Sequence, residues 1–597
     1  MCGINGFTWN EIELLKKMNT SLAHRGPDDE GTYTDEDVSL GNRRLAIIDL
    51  SPSAKQPMCN EDCSIWITYN GEIYNYREIR ELLEEKGHSF RTGSDTEVIL
   101  HGYEEHGIEI LNRLNGMFAL ALYDSNRSLL YLARDRFGIK PLYYSIKGRN
   151  IIFSSEIKGL LVHDLEKVPN DEAVFEYLIH GLIDHKEETF FKSIYRVMPG
   201  TYLAFNCKTK DMCKKKWYTL QDTTMVDPER IRDSFLKSVR YRLVSDVPVG
   251  SCLSGGIDSS SIVCSMNQMS LNPHIKTFSA IFPGTPIDEG RFIEEVIHET
   301  GAESHTIIPQ VERLLDDLPD LIHTQEEPFS GTSMYAQYCV MRLAHEHDMK
   351  VLLDGQGADE LFAGYPIYFT PFFIEKFKTL QWASFVCEAL SYMKTQKSLL
   401  LFVNLISSCL RSLMRTHDVM PSWIDPGFFH QYSSPRTYLH DLNSKLLETL
   451  TYSTIPGLLR YEDKNAMRWS VETRLPFLDF ELVQNVLYIP ANLKIRGGVT
   501  KYIFREAMKD ILPESIRRRT DKIGFATPEE KWFQSPDFLE FATSVLWSDS
   551  FQERKYWDAD KVRKTFHSFK KGNMRVGHTL WKWINLELWF RMFIDAQ

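Results

Sequence analysis

Apolar positions in the first 200 residues fall in short runs broken by turn residues. "SIWITYNGEIYN" (64–75) is dense in β-branched and aromatic residues and predicts a strand that runs into an Asn70-Gly71 turn. "GMFALALYD" (116–124) and "SLLYLARD" (128–135) predict a second strand pair joined through Ser125, Asn126 and Arg127. "YREIRELLEEKGH" (76–88) changes period: Ile79, Leu82 and Leu83 share one helical face, and Gly87 ends the helix. Strands with a few helices predict an antiparallel α+β domain over residues 1–205.

A polar stretch, "NCKTKDMCKKKWYTLQDTT" (206–224), then interrupts the apolar pattern. It is poor in aliphatic residues, so 206–228 is expected to be a solvated linker. From 229 to 597 the texture is different. "PVGSCLSGGIDSS" (248–260), "IKTFSAIF" (275–282) and "MKVLLDGQGADE" (349–360) are short apolar runs separated by helical stretches. That alternation predicts a parallel α/β sheet, with ligands at the carboxyl ends of its strands. Beyond about residue 370 the pattern is largely helical. "LLLFVNLISSCL" (399–410) predicts a buried helix, because it is far short of the roughly 20 residues that span a bilayer.

A chain of 597 residues should form more than one domain. Its 69 basic and 81 acidic residues leave a net charge of −12, which argues against binding the nucleic-acid backbone. The ten cysteines include no CxxC pair, and no histidine or second pair near Cys59 and Cys63 completes a metal set. The start, MCGINGFTW, lacks the pattern of a signal peptide. Reduced thiols in a cytoplasmic protein with no membrane segment are the expectation.

Two stretches carry chemistry. "SGGIDSS" (254–260) can turn tightly, expose backbone N–H groups and open a helix whose positive end faces an anion. Ser254, Ser259 and Ser260 add hydroxyl donors, so the loop suits pyrophosphate; no GK[ST] follows, so it is not a Walker loop. Asp258 would repel phosphate unless a cation lies between them, which implies Mg²⁺, with Asp359 of "DGQGADE" as a second ligand. At the other end, Cys2 would become a nucleophile beside its own α-amine if the initiator methionine were removed.

The 254–260 loop resembles the PP-loop of ATP pyrophosphatases, and the chain from Met1 to about Trp532 resembles the glutamine-hydrolysing asparagine synthetase family. The resemblance implies an N-terminal Ntn-type class II glutamine amidotransferase domain and an ATP-dependent synthetase domain. It implies that Cys2 is the mature N-terminus and attacks the carboxamide of glutamine. Asn70 and the Gly71 N–H would stabilise the oxyanion. "NRRLAIIDL" (42–50) would supply Arg44, Leu45, Ala46, Ile47 and Ile48 to bind glutamine, with Arg44 on its carboxylate; Glu72 and Asp95 would hold its polar groups. The nucleotide would lie against Leu253, Ser254, Gly255, Gly256, Asp258, Ser259, Ala280, Asp354 and Gly355, with Lys501 of "GVTKYIFREA" on the leaving pyrophosphate. Glu462, Asp463, Arg468, Glu472 and Arg474 of "RYEDKNAMRWSVETRLPFLD" are expected mainly to form an ion network behind the site. The implied enzyme is a carbon–nitrogen ligase that takes nitrogen from glutamine, adenylates a carboxylate with ATP and releases AMP and pyrophosphate. By the same analogy it would form a homodimer.

Two positions depart from the family; Asp354 stands where the second loop usually carries a serine. The second loop usually carries a glutamate where this chain has Gln356, and glutamine cannot take a proton near neutral pH. The acceptor expected is aspartate, and another carboxylate such as a sugar acid is the alternative. Ring closure to a lactam would fit a chain that had lost its N-terminal cysteine, and a non-catalytic scaffold would not need Asp258, Asp359 and Lys501 together.

Overall fold

The computed structural model describes residues 2–595 apart from 225, 270–273, 397–402, 404, 408, 410–419, 433–440 and 522–523. Most of the apolar run 399–410 lies outside the described residues.

The first half is built on twelve strands. They are β1 (Cys2–Phe7), β2 (Asp29–Thr34), β3 (Ser39–Arg44), β4 (Met58–Cys59), β5 (Ile65–Ile73), β6 (Gly116–Asp124), β7 (Leu129–Arg134), β8 (Tyr143–Lys147), β9 (Asn150–Ser154), β10 (Tyr195–Arg196), β11 (Thr201–Asn206) and β12 (Met212–Lys216). They form two antiparallel sheets, ordered β10-β8-β9-β1-β3-β2 and β12-β11-β7-β6-β5-β4.

The sheets pack face to face. Ile4 and Leu40 of one meet Ala119, Ala121, Leu130 and Leu132 of the other. The opposite face of β6, with Leu120 and Leu122, is covered by Ile79, Leu83, Val98 and Ile99 from the helices Tyr76–Glu85 and Asp95–His106. On the far side, Leu15 and Met18 of the helix Ile12–Ser21 pack with Phe7 and Ile152. Both faces of β6 are therefore buried, which is why "MFALAL" reads as an unbroken apolar run.

Two expectations fail in this half. Asn70-Gly71 is not a turn: both residues lie inside β5, opposite Ala119 and Phe118 of β6. The glycine serves close approach instead, since a Cβ there would fall 2.2 Å from the Met117 carbonyl oxygen. The lysine-rich stretch is not all linker either, because Met212–Lys216 pairs with β11 as an exposed edge strand. Lysines blunt an edge against further pairing, so a solvated composition and a strand coexist there.

The second half holds a parallel sheet of β13 (Val249–Cys252), β14 (Lys276–Ala280), β15 (Glu303–Ile307), β16 (Val351–Leu353) and β17 (Glu472–Arg474), in the order β15-β14-β13-β16-β17. The chain leaves β13 toward β14 and later returns to its other side as β16. That reversal opens a crevice at the carboxyl ends of the strands. The remainder, past residue 360, is largely helical apart from β17. Among the described residues no helix is long and apolar enough to cross a membrane.

Candidate active sites

Cys2 begins β1 and lies opposite Arg44 of β3. Its backbone nitrogen donates to Asn70 Oδ1 at 3.0 Å. With its oxygen so engaged, the Asn70 amide turns a buried Nδ2 that has no hydrogen-bond partner among the described residues. A buried, unsatisfied donor is costly unless a ligand uses it.

Beside it is a small open pocket lined by Cys2, Arg44, Leu45, Ile47, Ile48, Gln56, Tyr69, Gly71, Glu72 and Ser94–Thr96. Ala46 is not in the lining; its N–H donates to Asp28 at 2.8 Å. Arg44 is anchored by the carbonyls of Ser51, Ile48 and Asp49, and no carboxylate pairs with it among the described residues. Asp95 accepts from Tyr69 Oη at 2.8 Å and from the Ile73 N–H at 2.9 Å, while burial raises its pKa. Burial and the nearby Glu472 push Glu72 well above the usual carboxyl range. A guanidinium and acidic groups around one small cavity suit a zwitterionic amino acid. Burial also raises the Cys2 thiol, so a base would have to take its proton before it could act as a nucleophile.

The second site lies at the sheet reversal. Ser254 N–H donates to Ser259 Oγ at 3.1 Å and Gly256 N–H to Ser254 Oγ at 3.3 Å, which curls the loop onto the start of the helix Ile257–Met269. Gly255 takes φ +70°, and a Cβ there would fall 2.7 Å from Phe292 Cβ. The loop after β16 is its neighbour: a Cβ on Gly355 would lie 3.1 Å from Asp258 Cβ.

Lys501 Nζ sits 2.5 Å from Asp258 and 2.5 Å from Asp359. A Cβ on Gly364 would collide with Asp359 Oδ1 at 1.8 Å and Lys501 Cε at 2.3 Å. Two carboxylates from the first turns of two helices thus converge on one cationic group, a donor set that fits a hard divalent ion such as Mg²⁺. An open pocket lies here, lined by Gly256, Ile257, Asp258, Lys501 and five residues with no assigned role in the sequence: Glu289, Thr500, Arg505, Arg519 and Asp521. Leu253, Ser254, Gly255, Ser259, Ala280, Asp354, Gly355 and Asp359 do not line it; they belong to the strand ends, turns and helix starts beside it.

The asparagine synthase family model matches residues 230–591, and the glutamine amidotransferase domain model matches residues 1–218. The chain belongs to the asparagine synthetase family. It is 33% identical to a protein named asparagine synthetase [glutamine-hydrolyzing] 1 of Bacillus subtilis, over 100% of this chain and 98% of that protein. It is 30% identical to the B. subtilis protein named asparagine synthetase [glutamine-hydrolyzing] 3, over 87% and 86% of the two chains. It is 28% identical to amidase chry2 of Gibberella zeae, over 90% of each.

In this family member the two halves meet through buried charge. Arg474 lies 2.5 Å from Glu472 and 3.5 Å from Glu72 of the first cavity. Arg468 pairs instead with Asp320 inside the second half, where both side chains are partly exposed. Glu462 accepts from Gln337 and lies beside Gln356 and Asp354. Burial and the neighbouring Asp354 raise Glu462 well above the normal range, and burial raises Asp354 as well.

Arg505 was within reach of the sequence, one helical turn beyond Lys501 in the same motif. Arg519 opens a stretch, "RTDKIGFATPEEKW", that matches the family without an assigned role; it reaches the site because it binds the Gly255 carbonyl at 2.8 Å and Glu289 at 2.9 Å.

Proposed function

We propose that this synthetase hydrolyses glutamine at Cys2 and uses the released ammonia to amidate a carboxylate, aspartate, that ATP has activated. The observation that carries the reading is the meeting of Asp258, Asp359 and Lys501 beside the serine- and glycine-rich loop. That arrangement suits cleavage of a nucleotide between its α and β phosphates, and it would be idle in a plain glutaminase.

In the first cavity, Arg44 holds the carboxylate of glutamine and Asp95 its ammonium. The α-amine exposed by removal of Met1 takes the Cys2 proton; its ordinary pKa near 8 leaves a useful neutral fraction. The thiolate attacks the carboxamide. Asn70 Nδ2 and the Gly71 N–H stabilise the oxyanion, the C–N bond breaks to release ammonia, and water cleaves the thioester to glutamate.

In the second site, the loop N–H groups and Ser254 and Ser259 cradle the phosphates, while Lys501 balances charge on pyrophosphate as it leaves. Mg²⁺, held by Asp258 and Asp359, would supply charge neutralisation between the phosphates and the two carboxylates. Glu462, touching Gln356, takes the proton-handling role that glutamine cannot. The domain limits proposed remain a glutaminase half through residue 205 and a synthetase half from 229, with β12 as an appendage of the first.

Pyrophosphate release with ATP, Mg²⁺ and glutamine, measured across a panel of carboxylic acids, tests the reading. Release stimulated by aspartate alone supports it. Release with a different acid relocates the acceptor, and no acid-dependent release removes the proposed activity.

A further inference from the structure

His88 and His101 face one another outside both cavities. His88 lies just past the helix Tyr76–Glu85; His101 and Glu104 lie on the helix Asp95–His106. The two Nδ1 atoms are 3.3 Å apart, His101 Nδ1 is 2.9 Å from Glu104 Oε2, and His88 Nδ1 is 3.7 Å from the same oxygen. We infer that His88, His101 and Glu104 form a binding site for a zinc-type divalent metal ion.

The triangle has the right size. A tetrahedral ion with bonds of about 2.0–2.1 Å needs ligand atoms roughly 3.3 Å apart, and the three edges scatter about that length. Two imidazole nitrogens and one carboxylate oxygen, with the fourth position open to water, are a donor set that zinc accepts and magnesium does not favour.

The surroundings supply an independent argument, since metal-binding histidines direct their second nitrogen at an acceptor. His88 Nε2 lies 3.7 Å from Glu105; His101 Nε2 lies 3.7 Å from Glu97 and 3.8 Å from Glu61. Glu104 is oriented in the same way: Asn60 Nδ2 donates to its other oxygen at 2.8 Å. Phe90 packs edge-on against His101 at 4.6 Å and fixes the ring. Burial opposes charge on His101, but Glu97 and Glu104 raise its proton affinity, and the same field favours a cation.

Position gives the site a consequence. Residues 88–94 connect His88 to Ser94 and Asp95, which line the glutamine cavity. Glu97, against His101, accepts from the N–H groups of Arg91 and Thr92 in that connection. A metal ion bridging His88 to the helix would clamp the segment that carries Asp95.

The test is Zn²⁺ titration by calorimetry of the full chain, stripped of metal and free of nucleotide, with Co²⁺ absorption as a second readout. We expect one site per chain, a tetrahedral cobalt spectrum without a thiolate charge-transfer band, and a higher Tm on loading. His101 is buried, so His88→Ala, at a half-buried position, is the main variant; it should weaken binding at least about 100-fold. Asn60→Ala should weaken it about 10–100-fold. Cys59→Ser/Cys63→Ser should leave it unchanged. Unaltered affinity in His88→Ala, loss in the cysteine variant, or no stoichiometric binding by the wild type would overturn the assignment.

Discussion

Arg25 and Asp463 lie 438 residues apart and make a buried, two-pronged ion pair, with Nη1 at 2.7 Å and Nη2 at 3.2 Å from the carboxylate. The same guanidinium donates from Nε to the Cys2 carbonyl at 3.1 Å. Asp463 precedes Lys464, which binds Glu326, and follows Glu462 at Gln356. One short chain of contacts therefore joins the strand that opens with Cys2 to the helix behind the 254–260 and 354–359 loops.

Removing Asp463 strands part of that charge. Asp463→Ala is expected to destabilise the fold by about 3–5 kcal/mol, reduced by the remaining Glu156 partner of Arg25. Asp463→Asn keeps the shape and should mainly uncouple the sites, raising the glutamate formed per AMP. Thermal unfolding and the two product assays separate these effects; an unchanged ratio in Asp463→Asn would deny the coupling.

Asn70→Ala removes the amide whose Nδ2 waits unpaired. Glutamine-dependent turnover should fall about 10²–10³-fold, with activity on added ammonia retained. A loss confined to KM would assign Asn70 to substrate binding instead.

Much of this was legible in the chain. The strands β6, β7, β13, β14 and β16 follow from apolar runs bounded by turn residues, and the 254–260 and 354–359 loops follow from glycine and acid spacing. Asn70-Gly71 misled because a glycine needed for close approach to β6 has the same signature as a hairpin turn. The short strand β17, "ETR", has no apolar run; pairing with β16 alone makes it a strand. Tertiary packing also brings in Glu289 and Gln56, which carry no local pattern.

Glu462→Gln should reduce acid-dependent pyrophosphate formation by about 10²-fold or more, the range for a lost proton-transfer group. Adding Gln356→Glu to that variant returns a carboxyl to the neighbouring position and should restore part of the rate. If the double variant is no better than the single one, Glu462 serves packing and not proton transfer.

Burial lowers Lys494 to about 7, although its Nζ donates to Asn443 Oδ1 at 2.9 Å. Its pKa in the unfolded chain is about 10.4. Between those values the unfolded chain binds the extra proton, so this lysine makes stability rise with pH, by at most about 1.4 kcal/mol per pH unit. Lys494→Met should be most stabilising near pH 6, with the gain shrinking toward pH 10. Denaturant unfolding across that range checks the sign; a gain that grows with pH would contradict it.

The account stands most directly on the fate of the glutamine nitrogen. The full chain, freed of Met1, should be given [amide-¹⁵N]glutamine, ATP, Mg²⁺ and aspartate, and its products followed by mass spectrometry. Asparagine labelled in its amide and formed in step with AMP and pyrophosphate is the predicted result, with Cys2→Ala making asparagine only from added ammonium. Labelled ammonia without AMP, or AMP without labelled amide, would contradict a single chain that liberates nitrogen at Cys2 and spends it at the Asp258–Lys501–Asp359 site.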